Sequence, residues 1–141
     1  MSNTKTMLAT LALGAAIAFA GPAFAEKMKA TLDGASEVPA GTSSGKGTAD
    51  IDYDAATKKL TWKVTYSGLS GPATAAHFHG PAEAGKNAGV AVAIPNATSS
   101  PAEGSATLTD AQAADLAAGK YYVNVHTAAN PGGEIRGQVT K

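Results

Sequence analysis

The chain contains no cysteine in 141 residues, and that one absence removes several chemistries at once. Disulfides cannot staple the fold, no thiolate can act as a nucleophile, and neither cysteine-bound zinc nor an iron–sulfur cluster can form. Charge of one sign is lacking too. Eleven basic residues stand against eleven acidic ones, with no basic patch to attract nucleic acid and no acidic tail. Also missing are a Ser-His-Asp spacing, a phosphate-cradling glycine loop and a paired-carboxylate signature. The apolar run from Met7 to Phe19 falls short of the ~20 residues a membrane-spanning helix needs. Histidine occurs three times in the whole chain, at His77, His79 and His126.

What is present begins with an export pattern. Lys5 supplies a positive start, Met7 to Phe19 an apolar stretch, and Ala23-Phe24-Ala25 a small-x-small cleavage site. Residues 1–25 therefore read as a signal peptide, and 26–141 as one small domain that is periplasmic or secreted. With no disulfide available, a hydrophobic core must hold that domain alone.

Beyond the signal, apolar residues recur with a period of two. Strands are predicted at Glu26 to Leu32, Thr48 to Tyr53, Leu60 to Tyr66, Thr74 to His79, Val90 to Ile94, Gly104 to Leu108, Tyr121 to His126 and Glu134 to Thr140. One helical pattern is visible, capped at Thr109 or Asp110, running to Ala118 and stopped by Gly119. Many short strands separated by turn signals predict an all-β antiparallel Greek-key sandwich or barrel with one short helix. Trp62 is in phase with Leu60 and Val64, and Met28 with Ala30 and Leu32, so both belong to the core. Asn130-Pro131-Gly132-Gly133 reads as a turn.

Strand parity separates the histidines from that core. Tyr121, Val123 and Val125 form one face of their strand, leaving Tyr122, Asn124 and His126 on the other. Thr74, Ala76 and Phe78 likewise leave His77 and His79 opposite. The histidine faces are then covered by loops rather than by the other half of the sandwich. Residues two apart on a strand lie about 6.6–6.8 Å apart on one face. His77 and His79 can therefore share a metal ion that His126 completes, which would bring the imidazole nitrogens within about 3–4 Å of one another around a ~2.0 Å bond. Imidazole-only sites suit copper, zinc, nickel or iron, and the affinity order favours copper over zinc. Three protein ligands leave a position open for water or substrate. Arg136 is either a lure for a small anion at that position or merely the partner of Glu134 or a loop carbonyl. Tyr122 and Asn124 share the face of His126, where they either orient the ligand or form an ordinary cross-strand pair. The spacing of Glu37 does not mark it as a ligand.

Leu32-Asp33-Gly34-Ala35-Ser36-Glu37-Val38-Pro39, Leu60 to Leu69, Ala75 to Pro81 and Val125 to Gly137 together resemble the CHRD domain, a module first named from chordin and also found alone in exported bacterial proteins. That resemblance implies an extracellular setting and, by way of chordin, a metal-free protein-interaction module. A second likeness concerns the site. A His-x-His strand, a later strand histidine and a nearby arginine are similar to the copper half of copper–zinc superoxide dismutases, which are Greek-key β-barrels. It implies His77, His79 and His126 as copper ligands, Arg136 as the anion-guiding catalytic residue and superoxide as a substrate. The sequence thus predicts an exported copper-binding protein, either dismutase-like or serving copper storage and delivery. No nucleic acid is expected as a partner, nor a membrane after signal cleavage, and a homodimer is compatible with the chain.

Overall fold

The computed structural model describes residues 25–141. The expected signal peptide lies outside the described residues apart from Ala25. Eight strands and one helix follow: β1 Glu26–Asp33, β2 Lys46–Asp54, β3 Lys59–Ser67, β4 Ala73–His79, β5 Val90–Ile94, β6 Ala102–Thr107, α1 Asp110–Ala117, β7 Tyr122–Thr127 and β8 Ile135–Gln138. All ladders are antiparallel, in the order β5-β4-β7-β8-β1-β2-β3-β6. The outer strands β5 and β6 approach each other, so the sheet curls into a nearly closed barrel. Across that seam the order β7-β4-β5-β6 is a Greek key.

Alternation does most of the folding. In β1, β2 and β3 every second residue is buried, which puts Met28, Ala30, Leu32, Ala49, Ile51, Leu60, Trp62 and Val64 inside. Trp62 meets Phe78 edge-on at 5.2 Å between ring centroids, an arrangement worth roughly 0.5–1.5 kcal/mol beyond area burial. Both Trp62 and Met28 are core residues, as their phase predicts.

The helix begins with a capping box in which Thr109 and Gln112 satisfy each other's backbone N–H groups. The Gln112 side chain also donates to the Ala91 carbonyl at 3.0 Å, partly covering the free edge of β5. Gly119, at φ +75°, terminates the helix.

Two expectations need correction. Thr74 is exposed rather than on the face of Ala76 and Phe78, because a register shift between Ala73 and Ala75 breaks the alternation at the start of β4. The last strand is also shorter than Glu134 to Thr140. Gly137 is pressed against the Thr31 backbone, and pairing with β1 is reduced to Asp33 with Arg136 and an isolated bridge from Lys29 to Thr140.

Candidate metal centre

Strand β7 lies between β4 and β8, and register decides which side chains meet on its outer face. His79 is opposite Tyr122, and His77 opposite Asn124. His126 is therefore the diagonal neighbour of His77, within reach of a long side chain. The rings stand 5.4 Å (His77–His79), 4.9 Å (His77–His126) and 5.8 Å (His79–His126) apart, at 90°, 65° and 46° to one another.

Hydrogen bonds to carbonyls fix which nitrogen two of the rings present. A carbonyl only accepts, so His79 Nδ1–H donates to Ala88 O at 3.0 Å and His126 Nδ1–H donates to Pro131 O at 2.9 Å. In both rings Nε2 is left with its lone pair. His126 Nε2 lies 3.0 Å from His77 Nδ1. His79 Nε2 is buried without any hydrogen-bond partner, a state that costs free energy unless something occupies it. One ligand nitrogen from each ring falls within 4.8 Å of the others. The closest pair already matches the 3–4 Å expected of a shared ion, while the widest separation exceeds it and must close by about 1 Å. Three close imidazoles, two with outer nitrogens anchored to carbonyls and one with a buried unpaired inner nitrogen, can hold a metal ion.

The histidine face is roofed by three loops. Residues 80–89 bring Ala88, whose N–H donates to the Tyr122 hydroxyl and whose carbonyl accepts from it, both at 3.1 Å. The β1–β2 loop brings Glu37, which accepts from Asn124, and Val38, whose carbonyl accepts from Asn87 at 3.0 Å. Residues 128–133 bring Pro131. Within that turn Gly133 takes φ +127° and packs so closely on the Asn124 side chain that no Cβ would fit. His79 and His126 are buried, whereas His77 is half-buried and marks the open side.

Burial also sets the charge state. Desolvation lowers the His77 pKa, helped by the neighbouring His126 charge. Desolvation likewise outweighs the Ala88 hydrogen bond at His79, with smaller contributions from His77, His126 and Arg136. Both rings therefore favour the neutral form that binds metal.

Arg136 is 2% exposed. Its Nη1 donates to Asn87 Oδ1 at 2.8 Å, its Nη2 donates to the Lys86 carbonyl, and its Cζ lies 3.5 Å from the Tyr122 ring centroid. Of its predicted partners it takes a loop carbonyl. Glu134 instead accepts from Ser43, Ser70, Thr127 and Asn130. Sequence reasoning did not anticipate the 80–89 loop as the clamp on His79 or Glu37 as the partner of Asn124. Neither carries a spacing signal, because both act from loops that meet the site only after the barrel closes.

The family model of the CHRD domain matches residues 28–139, a span that includes all three histidines and Arg136. No curated protein and no solved structure matches the chain.

Proposed function

This chain belongs to the CHRD domain family, and on that premise we propose that it is an exported protein binding one copper ion through His77, His79 Nε2 and His126 Nε2. The observation that carries the proposal is the convergence of one nitrogen from each of the three rings within 4.8 Å, with His79 Nε2 buried and unpaired. Imidazole nitrogens alone favour copper over zinc in the general affinity order. The half-buried edge at His77 leaves room for an exchangeable fourth ligand, as a storage, delivery or catalytic site requires.

The catalytic form of this reading is superoxide dismutation. When bound there, copper would supply a one-electron redox couple, the chemistry needed to turn two superoxide ions and two protons into O₂ and hydrogen peroxide. The chain's own part is to hold the three imidazoles and keep His77 and His79 neutral. Arg136 contributes positive potential that favours the anion's approach.

Purified protein should take up about one Cu(II) per chain, and His77→Ala combined with His126→Ala should abolish uptake. Stoichiometric binding that survives both changes rules out this site. Superoxide decay followed by pulse radiolysis separates enzyme from carrier. Decay no faster than with free copper or the His79→Ala variant leaves the carrier. A wild-type protein that takes up no metal returns the domain to the interaction-module reading.

A further inference from the structure

Arg136, Tyr122 and His79 form a continuous stack. The Tyr122 ring is parallel to the His79 ring, at 2° and 4.9 Å between centroids, and the Arg136 guanidinium lies 3.5 Å from the Tyr122 centroid. Because β7 runs between β4 and β8, the tyrosine has the histidine on one side and the arginine on the other. The guanidinium is buried and held by Asn87 and Lys86 of the same 80–89 loop whose Ala88 carbonyl orients His79. A permanent charge is thus fixed one ring behind a candidate metal ligand, out of reach of solvent screening.

We propose that Arg136 is a positioning and charge-tuning residue that acts through Tyr122 to stabilise the reduced, Cu(I) form of the centre over Cu(II). This rests on the copper reading above. The physical reason is simple. Oxidation adds one positive charge at the metal, and a buried cation opposes it, while the aromatic ring keeps water from intervening. A unit charge roughly 10–12 Å away in an effective dielectric of about 20 changes the relative affinity for the two oxidation states about tenfold. Glu37 is a counterweight, sharing a small cavity with Arg136 and bonded to Asn124. The same residues explain why the arginine is not placed at the open edge: its donors are spent on the loop and its face on Tyr122.

The test is a potentiometric titration of copper-loaded protein at pH 8, where Glu37, whose pKa burial raises to about 7, is ionised. Arg136→Met should keep one copper per chain while its preference for Cu(I) over Cu(II) falls about tenfold, a drop of about 59 mV in midpoint potential. Arg136→Lys, which keeps the charge but not the fork, should restore most of the difference. Glu37→Gln removes the opposing charge from a half-buried position and should raise the potential, so the proposal stays testable if Arg136→Met does not fold. Equal potentials in the wild type and Glu37→Gln, or a fall in Arg136→Lys as large as in Arg136→Met, overturn it and leave the copper reading intact. A wild-type protein that takes up no copper overturns both.

Discussion

Glu134 is 2% exposed, yet it is ionised, and its stabilisation can be read as a function of pH. Its carboxylate accepts from Ser43 Oγ at 3.0 Å, the Ser70 N–H at 2.8 Å, Thr127 Oγ1 at 2.8 Å, Asn130 Nδ2 at 3.0 Å and also Ser70 Oγ. Burial alone would raise its pKa. The donated bonds outweigh burial and hold it at about 2 against an ordinary 4.5. A depressed folded pKa means that the stabilisation is complete above 4.5 and is lost as pH falls from there toward 2. At 1.36 kcal/mol per unit, less a discount because the cluster borders an open cavity, this amounts to about 2–3 kcal/mol. Glu134→Gln keeps the shape and removes the charge, so it should cost about that much at pH 7. The gap should shrink on acidification and nearly vanish near pH 2, where the wild-type side chain is itself half protonated. Urea unfolding at pH 7, 5 and 3, followed by fluorescence of the single, buried Trp62, measures it. Equal midpoints at pH 7, or a gap of unchanged size at low pH, would refute the reasoning.

Trp62→Ala should cost roughly 3–5 kcal/mol as a core truncation, seen as a lowered thermal or urea midpoint by circular dichroism; an unchanged midpoint would contradict its burial. Gly133→Ala forces a β-carbon onto Asn124 at φ +127°, so it should destabilise the fold by more than about 1 kcal/mol and lower copper affinity by moving Pro131. Copper at about 100 times its dissociation constant should stabilise the wild type by about 2.7 kcal/mol in thermal unfolding, and a chelator should reverse the shift. Because His77 and His79 titrate below the ordinary 6.5, uptake should hold down to about that pH and fade below it; loss already at pH 7.5 would argue against two neutral rings.

The barrel was legible because its inward positions are chosen by a period of two. Met28 to Leu32, Ala49 to Tyr53 and Leu60 to Val64 alternate without exception, so strand existence and facing followed directly. Parity failed at Thr74, where a bulge inserts a residue that no local pattern announces. For the site, parity put His77, His79 and His126 on outward faces. Their meeting then needed only β4 and β7 to be neighbours, which a Greek key provides. The roof was not legible. Ala88, Pro131 and Lys86 contribute backbone carbonyls, and a carbonyl has no sequence signature. The burial of Arg136 was hidden for the same reason.

A fold without disulfides has spent its buried polar groups on the loops rather than on the strands. Two networks do this, one at the turn after β7 and one at the 80–89 loop. Glu134 ties Thr127 and Asn130 to Ser43 and Ser70, anchoring both ends of that turn. At its tip, Pro131 accepts from His126. On the far side, Arg136 and Tyr122 hold residues 86–88, which orient His79. Each buried histidine is thus aimed by a loop carbonyl, and each loop is pinned by a charged side chain on or beside β8. The third histidine, His77, has no such anchor and stands at the open edge. Two fixed ligands and one freer one suit an ion that must be held and yet exchanged, since release can begin at His77 without disturbing either pinned loop.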